Sequence, residues 1–169
     1  MFSCRIRTSL ALSLAFGATL AAAHGNEAKP ASAAAGGEHG HAAAIGVPGA
    51  AGKVDRTVKI DMSDTMRFEP SRIDVKQGET VRFVVRNSGR LKHEFVLGTE
   101  AELKEHEALM KKFPEMEHAD PNQVSVAAGG SGEVIWRFTK AGPVDFACLQ
   151  PGHYDAGMKG KVRVAARHP

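Results

Sequence analysis

Residues 68–83 read FEPSRIDVKQGETVRF. Ile73 and Val75 alternate with Arg72, Asp74 and Lys76, and the run stops at Gln77-Gly78. Val81 and Phe83 then resume the alternation between Thr80 and Arg82. A period of two sends successive side chains to opposite faces, one toward a core and one toward water, and glycine between two such runs marks a turn. The stretch therefore predicts two half-buried strands joined by a turn.

The same pattern spreads outward in both directions. Thr57 to Met62 alternates upstream, and Thr80 to Arg86 runs on to a stop at Asn87-Ser88-Gly89. His93 to Leu97, Val124 to Val126, Glu133 to Phe138, Pro143 to Cys148 and Lys161 to Val164 complete the series, with Gly129-Gly130-Ser131-Gly132 as punctuation. Short period-two runs separated by turn residues predict an all-β sandwich, with Trp136 in its core. Residues 53–169 are expected to form this one domain, enough for a single core. One stretch departs from the pattern: residues 100–116, EAELKEHEALMKKFPEM, are rich in helix formers. Thr99 with Glu102 three residues on forms a capping-box signature, and Pro114 ends the run. A short helical insertion between strands is predicted.

Upstream of the domain the composition changes. Residues 24–52 are mostly Ala and Gly with few large apolar side chains, and they are expected to be a disordered linker. Residues 1–23 combine Arg5 and Arg7, an apolar run from Leu10 to Leu20 and the small residues Ala21-Ala22-Ala23. That is the layout of a cleaved secretory signal, too short for a membrane span. Cys4 precedes the apolar run, so no lipid anchor is expected, and the mature protein should reside in the periplasm. Removing the signal leaves 20 Lys+Arg against 19 Asp+Glu, a charge of +1, where the full chain has 22 against 19. With no basic stripe interleaved with aromatics, a nucleic-acid partner is excluded.

Of the two cysteines, only Cys148 survives cleavage. A lone thiol in an oxidising compartment must be buried, paired between chains or ligated. Its surroundings read Cys148-Leu-Gln-Pro-Gly-His153-Tyr-Asp-Ala-Gly-Met158, a C-x4-H-x4-M loop after a strand. Pro151, Gly152 and Gly157 give it turn character. A second imidazole, His93, opens an upstream strand. Two imidazoles, a thiolate and a weak thioether are the ligand set of a trigonal electron-transfer copper site. Each residue has a plain structural role as well: Cys148 a core thiol, His153 a turn residue, Met158 a core plug. Their joint spacing favours metal.

The loop resembles that of the cupredoxins, the plastocyanin-like copper proteins, and residues 68–83 resemble the family's early strands. The resemblance covers roughly Val54 to Ala165. His93-Glu94-Phe95, the charged insert and the long loop are similar to the periplasmic copper-tolerance cupredoxins of the CopI group. The resemblance implies an eight-stranded Greek-key β-sandwich holding one type 1 copper ion near one end, with His93, Cys148, His153 and Met158 matching the ligands. Many family members carry Asn after the first histidine, bonded across to the cysteine loop. Here the residue is Glu94, which leaves colour and potential open.

Further His and Met residues lie outside that loop. His106, Met110, Met116 and His118 cluster in and after the helix, and His24, His39 and His41 lie in the linker. Met110 and Met116 are expected to pack on the sandwich with His106 solvated; a second, labile copper site is the alternative. Tyr154 is expected to shield the metal loop, and Lys159 and Lys161 to face an acidic redox partner. Copper tolerance, by binding or redox-cycling copper, is the expected function. The alternatives are a soluble periplasmic electron carrier serving a membrane complex, and a metal-free adhesion sandwich. No paired-carboxylate or Ser/His/Asp signature is present, and a four-ligand copper has no open position for substrate, so no enzymatic activity is expected. The partners expected are copper ions and a periplasmic or membrane redox protein, with the chain itself a monomer.

Overall fold

The computed structural model describes residues 42–116 and 120–167. Its strands are β1 (Val47–Pro48), β2 (Arg56–Ser63), β3 (Arg67–Glu69), β4 (Arg72–Lys76), β5 (Thr80–Asn87), β6 (His93–Gly98), β7 (Gln123–Val126), β8 (Ser131–Arg137), β9 (Gly142–Ala147) and β10 (Lys159–Ala165). Two helices join them: the single turn α1 (Ala42–Ile45) and the insertion α2 (Glu100–Lys112). One sheet runs β1-β8-β5-β2-β3 and the other β4-β10-β9-β6-β7. The chain crosses between the sheets at β3–β4, β4–β5, β5–β6, β7–β8 and β8–β9, and this produces the Greek-key sandwich. The pairs β2–β5 and β4–β10 are parallel; the others are antiparallel. The eight expected strands are present, joined by the very short β1 and β3 at the two edges of one sheet.

Alternation set the burial. In β4, Ile73 and Val75 face inward while Arg72, Asp74 and Lys76 face water. The two inner faces meet around Phe68, Phe83, Phe95, Phe138, Phe146 and Trp136, all essentially inaccessible to solvent. Phe68 packs edge-on against Phe146, with ring centres 5.1 Å apart, and against Phe95 at 6.0 Å, where aromatic quadrupoles favour contact.

The linker expectation needs correcting at its C-terminal end. Residues 42–53 are ordered on the sandwich. Ile45 is buried and its carbonyl accepts a hydrogen bond from Trp136 Nε1 at 3.3 Å. Val47 and Pro48 pair with Arg137 and Trp136. Val47 stays exposed, so Ile45 supplies the buried apolar side chain of this segment, and the area it buries offsets the ordering of its neighbours. The expected signal sequence and the rest of the expected linker, with His24, His39 and His41, lie outside the described residues.

α2 forms as its caps predict. Thr99 Oγ1 accepts from the Glu102 N–H at 3.3 Å, and the Glu102 carboxylate accepts from the Thr99 N–H at 2.7 Å. The helix ends at Lys112, with Phe113 capping it directly before Pro114. It lays Leu103 and Met110 against Val96, Ala147, Leu149 and Tyr154, a second apolar cluster beside the main core. Lys111 bonds both Glu107 on the helix (2.8 Å) and Asp155 beyond β9 (2.9 Å). No helix among the described residues is long and apolar enough to cross a membrane.

Candidate metal centre

β6 and β9 are antiparallel neighbours, so the start of one lies at the same end of the sandwich as the exit from the other. His93 begins β6, and Cys148 follows the last residue of β9. Beyond Cys148 the chain turns twice and returns. His153 N–H bonds Gln150 O, Met158 N–H bonds His153 O, and Cys148 N–H bonds Met158 O, each at 3.0 Å. This folding brings three predicted ligand atoms together. His153 Nδ1 lies 3.2 Å from Cys148 Sγ and 3.2 Å from His93 Nδ1, and the last side of the triangle, Sγ to His93 Nδ1, is 3.9 Å. Met158 is fully buried in the same core cluster as Cys148.

The triangle suits a metal ion. A point equidistant from its corners lies about 2.0 Å from each, close to the bond lengths of a borderline-soft cation to imidazole and thiolate. His93 Nε2 faces Asp64 Oδ1 at 3.1 Å, and a carboxylate only accepts, so the ring proton belongs on Nε2 and Nδ1 keeps its lone pair, 3.2 Å from His153 Nδ1 and 3.9 Å from Cys148 Sγ. Electron-rich atoms converging this closely repel one another unless a proton or a cation lies among them.

The electrostatics fit a site kept ready for a metal. Burial pushes the Cys148 thiol up to about 12, against the backbone N–H groups of Glu94 and Gln150, which favour the thiolate; the Glu94 charge acts in the same direction as burial. The sulfur therefore holds its proton until a metal displaces it. Burial, and then the neighbouring His93, hold His153 below the ordinary imidazole value, leaving it neutral and able to ligate.

A scan against family models matches residues 54–165 to the copper binding proteins of the plastocyanin/azurin family. The chain belongs to that family. As a cupredoxin it takes copper as its cofactor, so the reading as a metal-free adhesion sandwich is set aside. Among curated proteins it is 60% identical over 130 residues to the copper-resistant cuproprotein CopI of Rubrivivax gelatinosus, covering 76% of this chain and 79% of that one. It is 39% identical over 153 residues to CopI of Pseudomonas aeruginosa, covering 73% and 84%. This cupredoxin is thus a member of the CopI group. Among solved structures, dithionite-reduced auracyanin from Roseiflexus castenholzii superposes with a TM-score of 0.59 at 22% identity, over 66% of this chain and 98% of that one. That likeness concerns the fold.

Glu94 cross-links β6 to the cysteine loop and to β7. Its Oε1 accepts from Gln150 Nε2, on the cysteine loop, and from Ser125 Oγ at 3.0 Å on β7. Its backbone N–H donates to Cys148 Sγ at 3.3 Å. The sequence reading did not identify Asp64. It lies in the turn after β2, and only its short polar side chain in a turn hinted at a local role.

The other expectations divide. Tyr154, within the Cys148–Met158 loop, is buried against α2. Lys161 is engaged with Asp145 at 2.8 Å, and Lys159 Nζ lies 4.5 Å from the Tyr154 ring centre, so both lysines serve local contacts. Met110 packs as expected, whereas Met116 is 40% exposed beyond the end of the helix. His106 is half-buried on α2, and His118 falls outside the described residues.

Proposed function

We propose that this cupredoxin binds one copper ion through His93, Cys148, His153 and Met158 and protects the cell from excess copper in the periplasm. The observation that carries the ligand assignment is the triangle of two imidazole Nδ1 atoms and one thiol sulfur. Copper bound there supplies one-electron redox chemistry. The protein's part is to bury the thiol, keep the His153 imidazole neutral, and hold the loop against α2 through Tyr154 and Lys111. The tolerance role is supported by the names of the CopI relatives, and export by the apolar run at Leu10–Leu20. Titration of the protein with Cu(II), beside Cys148→Ala, tests the site. An intense thiolate-to-copper band at one equivalent, lost in the variant, is expected; its absence from the unsubstituted protein refutes the ligand set. Deleting the gene should sensitise cells to copper, and unchanged growth under copper stress refutes the tolerance role.

One observation favours a second reading, a soluble electron carrier. His153 is only half-buried, whereas His93, Cys148 and Met158 are inaccessible, so one ligand edge reaches solvent where a partner can dock. Fast, saturable reduction by a periplasmic or membrane cytochrome is expected on this reading; failure with every native donor counts against it.

A further inference from the structure

The turn between β2 and β3 makes an unusual approach to the metal centre. It is closed by Met66 N–H bonding Ser63 O at 3.0 Å, with Met66 in the left-handed region at φ 59°. Asp64 projects from this turn across to the segment before β6. Its Oδ2 accepts from the Arg90 N–H at 2.8 Å. Its Oδ1 accepts from the Leu91 N–H at 3.2 Å and from His93 Nε2 at 3.1 Å. The next turn makes room for it: a β-carbon at Gly89 would collide with the Asp64 carboxylate. Ser88 Oγ, in the same segment, donates to Asp61 of β2. The loop leading into the first histidine is therefore laced to the β2–β3 turn, and the carboxylate is the knot.

Two physical consequences follow. A hydrogen bond to the outer nitrogen fixes the tautomer and the orientation of the ring, and a carboxylate acceptor makes the imidazole a stronger donor to a metal. A negative charge one ring away also stabilises the higher charge of Cu(II) more than that of Cu(I). We propose that Asp64 is a positioning residue of the copper centre, aiming His93 Nδ1 at Cys148 and biasing bound copper toward Cu(II). The inference rests on His93 being a ligand. It gives a residue outside the predicted ligand set control over the potential.

The test compares the unsubstituted protein with Asp64→Asn and Asp64→Ala, each loaded with one equivalent of copper. Asn keeps an oxygen acceptor for the His93 proton and loses the charge; Ala loses both. Removing an outer partner of a ligating histidine lowers metal affinity by about 10–100-fold. Here the loss should fall on Cu(II). Each tenfold loss relative to Cu(I) raises a one-electron potential by about 59 mV. The expected result is a higher potential in both variants, with the thiolate band kept in Asn and shifted in Ala. Asp64→Asn decides the matter if Asp64→Ala does not fold. Equal losses of Cu(II) and Cu(I) affinity with an unmoved potential would show that the carboxylate only holds the loop, and would overturn the proposal. The thiolate band of the unsubstituted protein tests the site separately; its absence overturns the ligand set and this inference together, whereas a normal band with unshifted variants overturns the inference alone.

Discussion

Met110 separates packing from metal binding in the helical insertion. The side chain is 1% exposed and packed with Val96, Leu103, Ala147, Leu149 and Tyr154. Truncating a buried methionine to alanine costs about 2–5 kcal/mol, through lost transfer free energy and the cavity left behind. The cluster is small and lies at the flank of the sandwich, where neighbours can close in, so a cost of about 3 kcal/mol is expected. With a urea slope of about 2 kcal/mol/M, the unfolding midpoint falls by about 1.5 M. Met110→Leu keeps the volume and should cost less than about 1.5 kcal/mol. The assay is urea unfolding of the metal-free protein followed by fluorescence of Trp136, the single and fully buried tryptophan, with a copper titration of each variant alongside. Met110→Leu should bind as many equivalents of copper as the unsubstituted protein. Loss of one equivalent at unchanged stability would refute the packing account and make the thioether a ligand.

Four other perturbations have defined outcomes. In the metal-free protein, His153 is held neutral, so its contribution to stability should be level from about pH 7 to about pH 9 and fall as pH drops below the ordinary value of 6.5. At the alkaline end the folded protein keeps the Cys148 proton that the unfolded chain loses, so stability should decline from about pH 9 toward about 12, and Cys148→Ala should flatten that limb of a pH-resolved urea series. Glu94→Ala should cost about 1–2 kcal/mol by stranding Gln150 and Ser125, and Glu94→Gln distinctly less, as read by thermal unfolding. The Gln variant should also lower the Cys148 thiol pKa, because the Glu94 charge now raises it; thiolate absorbance against pH measures this. Gly160→Ala would drive a methyl into the Phe146 ring and to 2.6 Å from the Ser71 carbonyl. It should destabilise by about 1–3 kcal/mol, and wild-type stability would show that the β10–β4 edge yields.

Where one side chain in two is buried, the sequence was easy to read. Arg72–Lys76 and Thr80–Asn87 announce themselves because water on one face and phenylalanine on the other leave no other pairing register. α2 was legible through its cap, a local hydrogen-bond pattern independent of the rest of the fold. The three-atom cluster was legible because its residues are chemically rare and closely spaced, apart from His93. What escaped depends on contacts distant in sequence. β1 and Ile45 are ordered only because Trp136 and β8 lie 91 residues away in the chain. Asp64 meets His93 across 29 residues and three intervening strands, and an aspartate in a turn is too common to mark. Glu94 showed itself as a departure, but its role depends on Gln150, 56 residues on, folding back over it.

β9 and β10 pair up to the rung formed by Ala147 and Lys159, and the next hydrogen bond, from the Cys148 N–H to the Met158 carbonyl, closes the neck of the excursion between them. The sandwich therefore senses residues 148–158 chiefly through where they leave and where they return. Closing a flexible loop grows dearer by only about 0.6 kcal/mol for each doubling of its length. Between its two core-buried ends, Cys148 and Met158, the excursion is tied back by α2 on Tyr154 and Asp155, by Glu94 on Gln150 and by Arg67 on the Ala156 carbonyl; a loop of another length spliced in at the same rung would keep the scaffold as long as it replaced those few ties.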